Sequence, residues 1–160
     1  MKPSEIFERL ASGEIASRIL KTDETGLQPW IQVDPLWIED ILYFLRDEKD
    51  LAFDSLACLS GVDYGAGKDL GVVYHLTSMT HGHWLVVKVM LPRENPSVPT
   101  IEHIYKAANW HEREAFDLYG IRFEFHPDLR RILLPDDWEG HPLRKDYQTQ
   151  EYYHGIRVPF

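Results

Sequence analysis

Eight histidines and 26 acidic residues are spread over this 160-residue chain, so metal binding and acid–base chemistry are the first activities to weigh. His111 and Glu112 begin the H-E-x-x-H pattern of a zinc-protease helix, but position 115 is Ala, and the second ligand is missing. His111 and Glu114 can share one helix face, which gives two ligands where a zinc site needs at least three. His81 and His83 flank Gly82 in a segment that reads as a hairpin turn, where solvent-facing histidines are expected. An independent metal-dependent hydrolase using His111, Glu114 and other histidines is therefore the remote alternative. Nucleophilic catalysis has little to build on: no Ser sits in a G-x-S-x-G elbow, and Cys58 has no base near it in sequence. Neither G-x-G-x-x-G nor a P-loop occurs, so nucleotide binding by this chain has no sequence support. Cys58, inside an apolar run, reads as a small core hydrophobe. As the single cysteine it can form no intrachain disulfide, and it cannot by itself hold an iron–sulfur cluster.

The densest chemistry lies between Trp110 and Tyr147, WHEREAFDLYGIRFEFHPDLRRILLPDDWEGHPLRKDY. Glu112 and Glu114 flank Arg113, and Asp117 follows one turn later. Arg113 can pair with Asp117 along a helix, or with Glu102 or Asp128 if the fold brings them close. One reading is a proton-handling acid; the favoured one is a charged network that pins the following segment to this helix. Pro127, Pro135 and Pro142 each fix φ and remove a backbone donor, so regular structure is repeatedly interrupted. Leu129, Ile132, Leu133, Leu134, Trp138 and Leu143 nevertheless supply apolar surface that is costly to leave in water. An irregular, apolar, charge-decorated arm suits lying across another protein. Arg130, Arg131, Arg144 and Lys145 have the reach to meet a partner's carboxylates. Trp138, Leu143 and Tyr147 are the expected anchors, since aromatic residues and arginine dominate interface energetics.

The elements that must position these residues follow from periodicity. Pro3 and Ser4 begin a short helix to about Leu10, followed by strand-like Ser17–Lys21 and Gln28–Val33. Asp34 and Pro35 suit the start of a helix whose Trp37, Ile38, Ile41, Leu42 and Leu45 recur on one face through about Arg46. Leu56–Tyr64, Gly71–Met79 and Trp84–Leu91 read as a β-meander, and Pro92 to Pro99 as a loop. Thr100 can cap a short helix to Ala107. Asn109 can cap a second helix with Glu112 closing a capping box, and Gly120 suits its end. The whole reads as α+β: a mainly antiparallel sheet with helices on one face over residues 1–125. Residues 126–160 form an irregular extended C-terminal arm that docks on a partner and is not an independent domain.

Composition narrows the function classes. The apolar fraction of 44% and charged fraction of 27% are those of an ordinary globular protein. A net charge of −9 disfavours nucleic-acid binding, which rests on clustered cations. The N-terminus is too acidic and broken for a secretory signal, and no apolar run reaches the roughly 20 residues of a membrane span.

Beyond composition, WHEREAFDLYGIRF, HPDLRRILLPDDWEGHPLRKDY and the upstream YHLTS, LVVKVMLP and VPTIEHIYKAANW segments resemble the 30-kilodalton subunit family of respiratory complex I. In bacteria this is the C subunit of NADH–quinone oxidoreductase, and the expectation here is its stand-alone form. The resemblance covers roughly Leu51 to Tyr147. The family often has a glycine before H-P-D-L-R-R, where this chain carries Phe125, a departure that bears on the local backbone path. The resemblance implies a non-catalytic, cofactor-free peripheral-arm subunit of the proton-translocating complex (complex I, NDH-1). FMN and iron–sulfur clusters lie in partner subunits, which pass electrons from NADH to quinone. It also implies a position on the cytoplasmic face of the bacterial cell membrane, held peripherally through the complex. The expected neighbours are other peripheral-arm subunits, especially the 49-kilodalton-like D subunit. On this reading Glu112, Arg113, Glu114, Asp117, Arg130, Arg131, Trp138, Leu143, Arg144, Lys145, Asp146 and Tyr147 are interface and assembly residues. An alternative within the broader family is the equivalent subunit of a hydrogenase or ferredoxin-linked membrane complex.

Overall fold

Alternation of apolar and polar residues along five strands builds the main sheet of the computed structural model, which describes residues 1–158. The strands are β1 (Ile19–Asp23), β2 (Trp30–Val33), β3 (Ser55–Asp63), β4 (Leu70–Thr77) and β5 (Trp84–Leu91), in spatial order β1-β2-β5-β4-β3. All neighbours are antiparallel except β2 and β5, which run parallel. That parallel pair requires a crossover, supplied by helix α2 (Ile38–Asp47) and the β3–β4 hairpin. The expected sheet class holds, with this one parallel junction as its exception.

One face of the sheet carries the core. Ile31 and Val33 of β2, Val87 and Val89 of β5, Val72 and Tyr74 of β4 and Leu59 of β3 are buried there. Against them pack Ile6 and Leu10 of α1 (Pro3–Ser12), Ile38, Ile41, Leu42 and Leu45 of α2, and Ala108 and Ala115 of α3 (Ala108–Tyr119). The start of α2 follows its local chemistry: Asp34 Oδ1 accepts the Leu36 N–H at 2.9 Å, and Pro35 opens a single 3-10 turn before the α-helix. The other sheet face holds the cross-strand rows Trp30–Val86–His75–Cys58 and Gln32–Lys88–Val73–Ser60.

Several expectations are corrected. A bulge between Leu56 and Cys58 shifts the register of β3 and turns Cys58 to the outer face, so it is half-buried and not a core residue. His83 does not face solvent. It is 4% exposed, with Nε2 2.6 Å from the Leu51 carbonyl and its ring edge-on to Phe53. His81 is exposed, as expected. The Pro92–Pro99 loop contains β6 (Ser97–Pro99), which pairs in parallel with β7 (Arg122–Glu124), a partner too remote in sequence for a local pattern to reveal. Residues 100–107 form successive turns and no helix. Ile104 and Tyr105 both donate to the Ile101 carbonyl, and the Thr100 hydroxyl accepts the Glu102 N–H. The expected capping box at Asn109 is not made, because the Glu112 carboxylate accepts instead from the Thr100 hydroxyl and the Ile101 N–H. Gly120 ends α3 in the left-handed region, φ 70°, as its position implied.

Candidate functional site

Helix α3 presents Arg113 and Asp117 toward the chain that follows β7, and two fastenings result. At the first, Asp117 is fully buried. Its Oδ1 accepts Arg131 Nη1 at 2.8 Å, and its Oδ2 accepts the backbone N–H groups of Ile132, Leu133 and Leu134 at 3.1, 2.8 and 2.9 Å. Burial alone would raise this carboxyl's pKa. The three N–H groups and the Arg131 guanidinium outweigh that effect and hold it below its ordinary value. Arg131 continues outward, donating from Nη2 to the carbonyls of Trp138 and Gly140 at 2.9 and 3.1 Å. One carboxylate thus organises a turn of the arm and, through one arginine, the loop beyond it. Arg113 reinforces the same turn with bonds to the carbonyls of Arg130 and Arg131, and stands 3.8 Å from Asp128. The Arg113–Asp117 pair is therefore replaced by arm contacts on both sides, and the anticipated Asp128 partner is the one the fold supplies.

The second fastening lies at the far end of β3. Asp63 Oδ2 accepts the Lys145 N–H at 2.7 Å, while Oδ1 accepts the Gly65 N–H at 2.8 Å and a guanidinium N–H of Arg93. Burial opposes ionisation, but these donors prevail and hold the Asp63 pKa at about 2. Arg93 also bonds the carbonyls of Lys68 and Gly65, and its Nη1 stands 3.0 Å from Asp146 Oδ2, an ion pair without hydrogen-bond alignment. Between the fastenings Leu143 donates its N–H to Leu118, and Arg144 Nε donates to the Tyr119 carbonyl at 2.6 Å, capping α3 with a cation. A Cβ on Gly120 would strike His141 and Arg144, so glycine serves there for close approach as well as for backbone conformation.

The residues singled out from sequence divide by burial into three groups. Glu112, Arg113 and Asp117 are buried and bonded within this chain, Arg113 and Asp117 to the arm and Glu112 to the turn at Thr100 and Ile101. Burial pushes the Glu112 carboxyl up to about 7, against the opposing Thr100 and Ile101 bonds. His126 approaches that carboxylate at 3.9 Å, while its Nδ1 accepts the Asp128 N–H and its Nε2 stands 3.2 Å from the Asn109 carbonyl. Arg131, Arg144 and Tyr147 are half-buried within the arm; Arg144 donates from Nε to the Tyr119 carbonyl, and among the described residues it makes no ion pair. Trp138 packs on Tyr153 of the short hairpin β8 (Tyr152–Tyr153) and β9 (Ile156–Arg157). Glu114, Arg130, Leu143, Lys145 and Asp146 face outward. His111 and Glu114 line a recess of about 230 Å³ between α3 and β3 together with Cys58, Ser60 and Leu143.

Sequence reading missed Asp63 and Arg93, which hold the arm from positions far upstream, and the exposed Trp110, at 64%; Leu133, read as apolar arm surface, is 61% exposed, and Phe125 87%. Trp110 sits inside a motif already singled out, so its apolar character was the available signal. Nothing local marks Asp63.

The family model described as "Respiratory-chain NADH dehydrogenase, 30 Kd subunit" matches residues 31–153. This chain belongs to that family. Among its relatives, the NADH-quinone oxidoreductase C subunit of Chloroherpeton thalassium is 49% identical, over 99% of this chain and 67% of the relative. The protein of the same name from Chlorobium phaeobacteroides is 54% identical, over 86% and 84%. The trypsin-resistant fragment of Nqo5 superposes with a TM-score of 0.66 at 30% identity, covering 81% of this chain and all of the fragment. A chain of the membrane-bound sulfane sulfur reductase, an archaeal respiratory membrane complex, gives a TM-score of 0.77 at 25% identity, covering 92% and 86%. Directly before H-P-D-L-R-R, Phe125 occupies the left-handed region at φ 65°, a backbone conformation that favours glycine.

Proposed function

We propose that this chain is the C subunit of a proton-translocating NADH:quinone oxidoreductase, and that its contribution to the enzyme is architectural. Family membership supports the assembly. The observation that carries the structural role is the double fastening of the arm, by Asp117 to residues 131–134 and by Asp63 and Arg93 to residues 145–146. These fastenings define the path of an otherwise irregular segment, so its outward Leu133, Leu143 and Lys145 are presented in one arrangement. A preorganised arm binds without losing its conformational entropy at the interface. The neighbour it meets is the 49-kilodalton-like D subunit, and the quinone-reducing module is held in register by that contact. Small misplacements around a reacting centre cost large factors in rate, which gives a non-reacting subunit its importance. FMN and the clusters belong to other subunits; with one cysteine, this chain lacks the usual thiolate set. Among the described residues no helix is long and apolar enough to cross a membrane. On this reading the chain is held at the cytoplasmic face through the complex.

Native purification of the tagged chain from gently solubilised membranes tests the reading. A large flavin- and iron-containing species with NADH–acceptor activity is the expected result. The similarity to a chain of an archaeal respiratory membrane complex favours one second reading, a related complex with a different electron donor. Recovery with hydrogenase or ferredoxin-linked subunits would select it, and recovery of the free chain alone would defeat both.

A further inference from the structure

On its interior side helix α3 carries an acid that, among the described residues, pairs with no lysine or arginine. The side chains of Glu112 and His126 are both 0% exposed, with Oε2 and Nε2 3.9 Å apart. Glu112 Oε1 accepts the Ile101 N–H at 2.8 Å, and Oε2 meets the Thr100 hydroxyl, which itself accepts the Glu102 N–H at 3.2 Å. From β4 comes the fully buried Tyr74, whose hydroxyl has no hydrogen-bond partner among the described residues. Burial first and the Glu112 charge second oppose ionisation of Tyr74, so it stays a neutral donor. Glu102 brings a like charge, itself paired with Lys106, and Arg113 is turned to the Arg130 and Arg131 carbonyls.

The two protonation states of Glu112 need different hydrogen bonds. When neutral, its acid O–H can donate to the Thr100 oxygen, which has two lone pairs. When ionised it only accepts, and a buried charge without further donors is costly. The donor closest at hand is His126. A backbone N–H can only donate, so Nδ1 accepts from Asp128 at 3.0 Å and the ring hydrogen sits on Nε2, 3.2 Å from the Asn109 carbonyl. Passing that donor from a neutral carbonyl to a carboxylate makes a charge-assisted bond, roughly twice as strong. The same ring movement displaces the Nδ1 that holds the Asp128 backbone. Asp128 in turn pairs with Arg130 and stands 3.8 Å from Arg113, at the root of the arm.

We propose that Glu112 and His126 form a proton-controlled link between α3 and the root of the arm: ionisation of Glu112 draws the His126 Nε2–H from the Asn109 carbonyl to the carboxylate and shifts the Asp128 backbone with it. The proton released by Glu112 goes to solvent, and His126 keeps its own. Coupling is reciprocal, so a contact that fixes residues 126–128 changes the proton affinity of Glu112 by the same free energy. The link lies wholly within this chain and does not depend on the assembly reading.

Nuclear magnetic resonance of the full chain, labelled with carbon-13 and nitrogen-15, tests it. Between about pH 5.5 and 8.5 the Glu112 carboxyl carbon, the His126 Nε2–H and the Asp128 amide should shift together, with midpoints within about half a pH unit of one another. Glu112→Gln should remove that step from His126 and Asp128. Tyr74→Phe, which deletes the competing donor, should leave it in place. The proposal is overturned if Glu112 does not titrate in this range, or titrates while His126 and Asp128 stay unmoved. The same His126 step in Glu112→Gln, or its loss in Tyr74→Phe, also overturns it. If either variant does not fold, the midpoints in the unmodified chain decide.

Discussion

Asp117 is the side chain whose loss should release the most of the arm, because four donors converge on its buried carboxylate. Asp117→Asn leaves the Arg131 guanidinium without its anion and removes an acceptor from the turn at 132–134. Breaking one side of a buried pair costs about 3 kcal/mol. Urea unfolding should show that loss, and hydrogen exchange should place much of it at the amides of Leu133 and Leu134; unchanged protection there would refute the anchoring role. Glu112 makes a different prediction, set by pH. Its folded pKa, about 7, lies above the unfolded value of about 4.3, so its contribution is complete below pH 4.3 and is lost as pH rises through 7. Glu112→Gln keeps an acceptor for Ile101 and stays uncharged. Between pH 4.5 and 7.5 the wild type should therefore lose on the order of 2–4 kcal/mol relative to this variant, measured by paired denaturant titrations. The pairing matters because the lowered pKa values of His75, His83 and His141 act in the opposite sense below about pH 6.5. Asp63 and Asp117 lose their stabilising charge only at more acid pH, below their ordinary carboxyl range.

Among the elements, the turn from β7 into the arm carries a testable strain. Phe125 adopts φ 65° while its side chain is 87% exposed, so the ring repays little of the cost of left-handed backbone. Phe125→Gly should raise the stability of the isolated chain by about 1 kcal/mol, read as a higher urea midpoint at unchanged slope. A lower midpoint would mean that Phe125 contributes contacts beyond its backbone. The elements most legible in sequence were those with sustained periodicity. Ile38, Ile41, Leu42 and Leu45 specified α2, and the alternating residues of β3, β4 and β5 specified the meander. What escaped was decided across long separations. Three-residue β6 exists only because β7 lies beside it, and Glu112 abandons Asn109 because the fold delivers Thr100 and Ile101 within reach. The bulge that turns Cys58 outward is a property of its pairing with β4, not of its neighbours in sequence. At the site, the motif residues around Arg113 and Asp117 were visible, but Asp63 and Arg93 act on an arm more than fifty residues away and carry no local signature.

Across the whole molecule, a one-sided α+β body and a twice-fastened arm form a part that is built to be held by others. The helices cover one sheet face, the arm crosses from α3 to the end of β3, and apolar side chains such as Leu133 and Leu143 remain outside. The central claim is that this outward arm surface is what joins the chain to its neighbour. Leu133 and Leu143 are 61% and 49% exposed, so replacing both with Asp should leave the isolated chain folded, while desolvating two carboxylates in an apolar contact is costly. The direct measurement is the amount of assembled oxidoreductase recovered with a tagged Leu133→Asp, Leu143→Asp chain against the tagged wild type, with the melting temperature of each free chain determined in parallel. The account predicts at least about a tenfold loss of assembled complex with the melting temperature unchanged within a few degrees. Assembly at the wild-type level would contradict it.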